Sequence, residues 1–265
     1  MKPNKVIRNK YIQRTFWIVL ILILWEATAT FGAVSPLLIP RVEDVAKTLW
    51  DALTNGSLGI QTLYSLGIIA AGMAISIVLA VLLSLLSMRF SVAESLIDTL
   101  VSIAHPLPGL AVLPLIIIWF GLSTATVIVL IVHSALWPIL LNMKTGLRAV
   151  PRIYSDVGRN LSMKPLRITW EILLRASFGY TLSGMKIAWA RAWRALIATE
   201  MAFGAIGAVG GIGWYIFKER TFMNTPALYA GIIVVVAVGM LVEDLLFSAL
   251  EKRTVGKWGT DSKLV

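Results

Sequence analysis

The chain has 265 residues, of which 58% are hydrophobic and 14% charged, and its formal net charge is +10 at pH 7. A mean hydropathy of +0.82 excludes an ordinary soluble domain and is typical of a polytopic membrane protein. The sequence contains no cysteine, which excludes disulfides, thiolate metal sites and a cysteine nucleophile, and with two histidines we expect no metal site.

Six apolar segments follow one another, each close to the length of about 20 residues that a helix needs to cross a bilayer. They are residues 15–33, 62–87, 94–120, 124–143, 179–203 and 226–248. A signal peptide would also begin with basic residues, but no small-residue cleavage site follows, so we predict that the first segment is a retained helix. In the third segment, His105-Pro106-Leu107-Pro108 removes backbone donors, and we expect that crossing to be split in two.

The lysines and arginines of the short loops indicate how these six spans are oriented. Basic residues at both ends of the chain and between positions 144 and 175 all fall on one side, which is predicted to be the cytoplasm. We therefore interpret the charge as a topology signal and a contact with anionic lipid, not as a nucleic-acid site. The loop 34–61 and the loop around Lys218 and Arg220 fall outside, and both termini are expected to be cytoplasmic.

The most charged interior segment, 151–175, reads PRIYSDVGRNLSMKPLRITWEILLR and cannot lie in hydrocarbon. After Pro165, which suits a first helical turn, apolar residues recur on one helical face and charged residues on another. The apolar face comprises Leu166, Trp170, Leu173 and Leu174. We predict a short helix, a turn at 162–164 and a second, amphipathic helix that docks on a partner in water. A helix lying on the membrane surface is the alternative.

Part of this segment resembles a known motif. The run Asp156-Val157-Gly158-Arg159-Asn160-Leu161-Ser162, followed after nine residues by Ile172-Leu173-Leu174-Arg175, is similar to the EAA loop of ABC-importer permeases. It departs from that loop with Asp156 for a Glu, Gly158 for an Ala, Ser162 for a Gly and Arg175 for a Pro. Further motifs resemble, in order, those of the nitrate, sulfonate and taurine permease branch. They are Ser35-Pro36 with Pro40, Pro106 to Ala111, Leu113-Pro114-Leu115, Trp119-Phe120-Gly121, Pro138 to Asn142, Gly184, Arg191-Ala192-Trp193, Glu200, Gly211-Ile212-Gly213 and Leu250 to Arg253 with Trp258.

The resemblance implies an all-α, polytopic permease of about six transmembrane helices, like that of a type I ABC importer, with a cytoplasmic coupling helix. It also implies a bacterial-type inner membrane, a second and identical permease copy, two cytoplasmic ATPase subunits and an extracytoplasmic substrate-binding protein. The residues that it would place against the ATPase are Asp156, Val157, Gly158, Arg159, Leu161, Ser162, Leu166 and Trp170.

The sequence itself contains no Gly-x-x-x-x-Gly-Lys-Ser/Thr phosphate-binding motif. We therefore expect that the chain is not an enzyme, holds no cofactor, and leaves ATP and Mg to the partner ATPase. We divide it into a basic cytoplasmic tail (1–14), a first transmembrane helix with an external loop (15–61), a core permease domain containing the coupling loop (62–250) and a cytoplasmic tail (251–265).

Ionisable residues at membrane depth cost about 2.5 to 3.5 kcal/mol each at a helix centre and commonly face a cavity or a partner. Arg191, Arg194 and Glu200 on the fifth segment, together with Trp193 and Pro108, are our candidates for the translocation path. A purely structural role for them stays open, and the two histidines are expected to be packing residues. Arginines on the path would lower the barrier for an anion, so we expect a small anion of the sulfonate, taurine or nitrate class.

Two other functions stay open at this point. An ion-coupled secondary transporter would need several acidic residues near the bilayer midplane and often an internal repeat, whereas this sequence offers mainly Glu200 and no evident repeat. A permease for an uncharged or aromatic nutrient is the other alternative, since permeases of this branch also carry such compounds. The motifs of a membrane-embedded hydrolase, His-Glu-x-x-His and Gly-x-Ser-x-Gly, do not occur.

Overall fold

The computed structural model describes residues 10–32, 35, 37–205 and 209–254, and these residues form helices and no strand. Residues 1–9 and 255–265 of the two predicted tails lie outside the described residues. The α-helices are α1 (Lys10–Thr30), α2 (Val42–Thr54), α3 (Leu58–Arg89), α4 (Ser91–Ala104), α5 (Gly109–Phe120), α6 (Thr124–Ala149), α7 (Arg152–Asn160), α8 (Pro165–Ile168), α9 (Leu174–Ala176), α10 (Phe178–Phe203), α11 (Ile212–Thr221), α12 (Thr225–Leu241) and α13 (Ser248–Arg253). The π-helical turns Thr169–Leu173 and Val242–Phe247 join α8 to α9 and α12 to α13. The predicted all-α fold is confirmed.

Four stretches of described helix are long and apolar enough to cross a membrane. They are α1, α3, α6 and the continuous stretch Thr225–Arg253 that contains α12 and α13. Helices α4 and α5 taken together are also long and apolar enough to cross a membrane. They are bent by 106° at the predicted break, which makes them a broken span or a re-entrant loop. The split of the third crossing at its prolines is therefore confirmed.

Helix α10 covers the fifth predicted crossing but is not among those apolar helices, so the described residues contain four or five such spans instead of six. Its composition is the reason, because it carries Lys186, Arg191, Arg194 and Glu200. The contact between α10 and α6 is more extensive than that between any other two helices in the described part of the chain. At Gly184 a Cβ atom would lie only 2.9 Å from the carbonyl oxygen of Pro138, so the two backbones nearly touch. Protein surrounds much of α10, which is how a polar helix can lie at membrane depth.

The core lies where α3, α6 and α10 meet, with α11 and α12 packed against one side. Ile69, Ile131 and Leu196 are fully buried there. A Cβ atom at Gly72 would lie 2.3 Å from Cγ2 of Ile131, so only glycine allows α3 and α6 to approach this closely. Because lipid is as apolar as these side chains, such close backbone packing holds membrane helices together.

Helix α1 is mostly exposed and contacts the other helices near both ends, where Arg14 forms an ion pair with Asp244 at one end and Trp25 and Glu26 contact the α2 region at the other. The indole Nε1 of Trp25 donates to the carbonyl oxygen of Pro40 at 2.9 Å, and its ring lies 5.2 Å from that of Tyr229. The carboxylate of Glu26 accepts from the backbone N–H of Val42 at 2.9 Å. Its remaining apolar surface is free to face lipid.

Two segments predicted as external loops are helices in the structure. The loop 34–61 contains α2, in which Glu43 and Asp44 in the first turn interact favourably with the helix dipole. Val45 of this helix is buried, and α2 packs mainly on α12. The segment around Lys218 belongs to α11, whose Glu219 is buried and accepts from the side-chain amide of Asn224 at 2.8 Å. These two helices were not predicted, because short helices are stabilised by tertiary packing that a hydropathy pattern does not reveal.

Candidate functional site

A cavity of about 530 Å³ lies between the α4–α5 break, α6 and α10. Its lining combines cationic, imidazole and hydroxyl groups with apolar side chains, and no acidic residue is among the lining residues that the structure describes. The lining residues are Ala104, His105, Pro106, Leu107, Pro108, Gly109, Leu110, His133, Ser134, Trp137, Arg191, Arg194, Ala195 and Ala198. Helix α5 begins at this wall with Pro108 as its N-cap, so the positive end of its dipole adds to the two arginine charges. The cavity is therefore electropositive.

Arg191 joins α10 to the α4–α5 break. Its Nη1 lies 3.4 Å from the carbonyl oxygen of His105 and 3.5 Å from Nδ1 of the same residue. His105 is the C-cap of α4, where the carbonyl groups at the end of a helix have no partner within the helix. The guanidinium therefore satisfies an acceptor at the negative end of α4.

Arg194, one helical turn further along α10, is an exposed side chain on the same cavity. Its Nε donates to the carbonyl oxygen of Ala190 at 2.9 Å, and it makes no ion pair with any residue in the described part of the chain. The two terminal nitrogens of the guanidinium thus keep their donors available to the cavity.

His133 takes part in a short hydrogen-bonded chain on the α6 side of the cavity. Nε1 of Trp137 donates to Nδ1 of His133 at 3.4 Å, and Nε2 of His133 lies 3.4 Å from the carbonyl oxygen of Leu107. An indole only donates, so Nδ1 is the acceptor and the proton is assigned to Nε2. The imidazole is then neutral and links α6 to the break between α4 and α5.

The structure brings together three of the five residues predicted for the translocation path, namely Arg191, Arg194 and Pro108. It does not bring Trp193 to the cavity, because that side chain is buried on another face of α10 and donates to the carbonyl oxygen of Val235 at 3.2 Å. His105 and His133 were expected to be packing residues, yet both line the cavity. For His105 the available signal was its position directly before Pro106, whereas His133, in the middle of α6, carried no such signal.

Glu200 also lies away from the cavity and is 2% exposed. Its carboxylate accepts from the hydroxyl of Ser65 at 2.8 and 3.0 Å and from the backbone N–H of Gly213 at 2.8 Å. The backbone N–H of Ile212 donates to the same hydroxyl at 3.0 Å. Glu200 and Ser65 therefore cap the first turn of α11 and join it to α3 and α10, and this cluster does not share the wall of the cavity.

The segment predicted to project from the membrane forms α7, a turn, and the continuous stretch from α8 to α9. The predicted helix-turn-helix is confirmed. Gly158 is buried between the two helices, where a Cβ atom would lie 2.9 Å from Cγ1 of Ile168 and 3.0 Å from Cδ1 of Ile172. Ser162 in the turn has a φ of 56°, in the left-handed region that favours glycine.

The predicted docking residues lie on the surface of this segment, with the exception of Gly158, which is buried between its two helices. Asp156 and Arg159 are exposed, with their charged groups 3.7 Å apart. Val157, Leu161, Leu166 and Trp170 are apolar and exposed, with Leu166 at 68% and Trp170 at 49%. We call these four residues the apolar patch. An apolar surface of this kind outside the long apolar spans fits a protein partner.

Replacing Ser162 by glycine should stabilise the turn by about 1 kcal/mol, because an L-residue pays about 1 to 2 kcal/mol in the left-handed region and glycine does not. Hydrogen exchange of the amides around residues 155–165 should slow about fivefold. Ser155→Gly, inside α7, is the matched control and should speed exchange, since glycine disfavours a helix interior. Equal effects of both variants would contradict the left-handed turn.

The membrane-spanning helices around an electropositive cavity, with an exposed helical segment between α6 and α10, define a multi-pass membrane transport protein. The profile of the binding-protein-dependent transport system inner membrane component family matches residues 72–256, and the chain belongs to this family. It is therefore a permease component of a transport system and not itself an enzyme.

Three relatives illustrate the range of this family. The taurine transport system permease protein TauC of Escherichia coli is 26% identical over 88% of this chain and 85% of its own length. The bicarbonate transport system permease protein CmpB of Synechococcus elongatus is 27% identical over 84% of this chain and 82% of its own. The nitrate import permease protein NrtB of Synechocystis is 28% identical over 76% and 72%, respectively. The resemblance inferred from the sequence motifs is confirmed at the level of the family.

Proposed function

We propose that this chain is the membrane subunit of an ATP-driven importer and that it passes a small anion through the cavity between α5, α6 and α10. The electropositive lining, with two arginines and no acidic side chain among the described lining residues, is the observation that carries the proposal. The relatives support it, since they are named for taurine, bicarbonate and nitrate, which share an anionic group. Fixed positive charge lowers the barrier that a low-dielectric core presents to an anion.

A second permease copy completes the path in this proposal. Arg191 lies at the middle of α10 and Arg194 one turn beyond it, and the side chain of Arg194 is exposed in the single chain. A guanidinium at that depth is costly in contact with lipid, so its face must meet water or protein. Two identical copies that face each other across a water-filled path would meet this requirement.

The remaining partners follow from membership of the family and from the exposed segment. The apolar patch and the Asp156–Arg159 pair would dock on a cytoplasmic ATPase that holds ATP and Mg, and two such subunits would serve two permeases. A substrate-binding protein would deliver the solute on the opposite face of an inner membrane. Both termini would then be cytoplasmic.

Uptake by the whole reconstituted complex tests the proposed function. Proteoliposomes containing the permease, its ATPase and internal ATP, with the binding protein outside, should accumulate at least one of labelled taurine, methanesulfonate, nitrate and bicarbonate about tenfold over liposomes without ATP. Choline and glucose are the cation and neutral controls. Accumulation driven by a proton or sodium gradient without ATP would instead identify a secondary transporter, and uptake of glucose alone would contradict the anion assignment.

Cysteine labelling tests the orientation, because the chain has no cysteine of its own. A cysteine at Ser155 should react with a membrane-impermeant maleimide only in inside-out vesicles, and one at Arg220, an exposed residue of α11, only in right-side-out vesicles. The contrast should be about tenfold or more, since the reagent cannot cross hydrocarbon. Reaction of Ser155→Cys from the outside would overturn the proposed role of the projecting segment.

A further inference from the structure

We propose that the two cavity arginines have different roles, a conclusion that rests on the proposed transport of an anion. Arg194 is the residue that contacts the anionic group of the passing solute. Arg191 is a positioning residue that holds the break between α4 and α5 and so fixes the shape of the cavity. Sequence alone does not separate the two, because they are the same residue type one turn apart on α10.

The contacts of Arg191 hold α10 to the break between α4 and α5. Its guanidinium is directed to the carbonyl oxygen and to the ring of His105 at the C-terminal end of α4. The break is held from α6 as well, because a Cβ atom at Gly109 would lie 2.7 Å from Oγ of Ser134, and Nε2 of His133 lies 3.4 Å from the carbonyl oxygen of Leu107. Arg191 therefore completes a set of contacts that clamps the break between α6 and α10.

Arg194 keeps most of its hydrogen-bond donors available. A guanidinium has five N–H donors in a planar fork, and only Nε of Arg194 has an acceptor among the described residues, the carbonyl oxygen of Ala190. The terminal nitrogens can form two parallel hydrogen bonds with an oxyanion such as a sulfonate, a carboxylate or nitrate. Its exposure on the cavity makes this fork reachable by a solute, whereas Nη1 of Arg191 already contacts His105.

The other residues that α10 contributes to the cavity are small. Arg191, Arg194, Ala195 and Ala198 recur at the spacing of one helical face, and the two alanines leave room beside Arg194. The walls opposite are Leu107, Leu110 and Trp137, which offer no charge to compete for the anion. Arg194 is thus the one arginine of the cavity whose two terminal nitrogens both lack an acceptor among the described residues.

A single thiol in the cavity tests this division of roles without a transport substrate. Ser134→Cys is combined with Arg194→Gln, Arg194→Lys or Arg191→Gln in the complete permease–ATPase complex. Each protein reacts with two methanethiosulfonates, one carrying an anionic sulfonatoethyl group and one a cationic trimethylammonioethyl group. The rate constant of each reagent with the protein thiol is divided by its rate constant with the free thiol 2-mercaptoethanol. The normalised rate constant of the anionic reagent is then divided by that of the cationic reagent. This anion-to-cation ratio measures the charge that a solute meets.

With both arginines present, the ratio should exceed that of free thiol by about tenfold, the effect on the two reagents of a unit charge about 6 Å away at a dielectric constant close to that of water. Arg194→Gln should remove most of this preference and Arg194→Lys should retain it. Arg191→Gln should change the rates of both reagents by a common factor, because the break between α4 and α5 moves. It should alter the ratio by less than about twofold, since the charge of Arg191 is partly compensated by the negative end of α4.

An unchanged ratio in Arg194→Gln, or equal losses of the ratio in both glutamine variants, would overturn the division of roles. Ala198→Cys provides a second thiol position on the same wall if the Ser134 variant does not assemble. Uptake of the labelled anions by the wild-type complex is measured in parallel. If uptake of anions is ATP-dependent but the ratio is insensitive to Arg194, then the proposed function stands and this inference fails.

Discussion

Gly211→Ala should prevent accumulation of the folded permease. A Cβ atom at this position would lie 1.9 Å from Oε1 of Glu200 and 2.3 Å from Oγ of Ser65, closer than any relaxed contact. The backbone of Gly211 is extended, with a φ of −105°, so the cost is steric and not conformational. Displacing the carboxylate would break its bonds to Ser65 and Gly213, which are buried and have no water to replace them.

Overpacking of a core costs about 1 to 3 kcal/mol, and a buried polar group left without a partner costs about 1 to 3 kcal/mol more. These two costs together are a large part of the free energy of unfolding of a typical domain. Thermal unfolding in detergent, followed by size-exclusion chromatography, should therefore show loss of the monodisperse species. Gly67→Ala on α3 is the matched control, because its Cβ would meet nothing within 4 Å and alanine favours a helix. Similar thermal profiles for the two variants would contradict the packing around Glu200.

Local patterns in the sequence were sufficient for most of the architecture. Residues 124–143 were predicted as the fourth crossing, and α6 begins at Thr124, because a long apolar run has few alternatives in a membrane. The prolines at 106 and 108 located the bend of 106° for the same kind of reason, since a missing donor acts within one turn. The helix-turn-helix of residues 151–175 was predicted from apolar spacing and from Pro165.

Contacts between distant segments could not be read in this way. The partner of Glu200 is Ser65 on α3, and neither residue carries a signal for the other in a single sequence. Helix α2 was missed because its stability depends on burial of Val45 against other helices. The place of His105 in the cavity depends on Arg191, which lies on α10.

One feature of the cavity was accessible from helical geometry. Successive residues of an α-helix are rotated by about 100°, so Trp193 lies about 200° from Arg191 and Glu200 about 180° from it. Both therefore lie on the side of α10 opposite Arg191, in agreement with their burial outside the cavity. Ala198, about 20° from Arg191, lies on the cavity wall. The residue types indicated functional candidates, but the phase of the helix determines which of them share a surface.

Trp170→Ala should reduce ATP-driven uptake at least tenfold while the membrane fold survives. In the proposed complex Trp170 is the aromatic anchor of the apolar patch, and loss of such an anchor at an interface costs about 2 kcal/mol or more. The side chain is 49% exposed, so its removal leaves no large cavity in the permease itself. The ATPase recovered with an affinity-tagged permease should fall in parallel with uptake.

Arg167→Ala provides the matched control on the same helix. Its Nε lies 2.8 Å from Oε1 of Glu171 in an exposed pair, and pairs of this kind contribute about 0 to 1 kcal/mol. Uptake and recovery of the ATPase should change by less than about threefold in this variant. The control separates loss of the apolar anchor from any general disturbance of the helix.

The alternative for this segment, a helix lying on the membrane surface, predicts a different result. Trp170 would then be buried among lipid headgroups, and Trp170→Ala would weaken quenching of a tryptophan signal by brominated lipid without altering recovery of the ATPase. Docking in a protein groove predicts the reverse, with unchanged lipid quenching and loss of the ATPase. Full uptake with wild-type recovery of the ATPase would show that Trp170 is not an anchor, and the coupling role proposed for residues 151–175 would then be wrong.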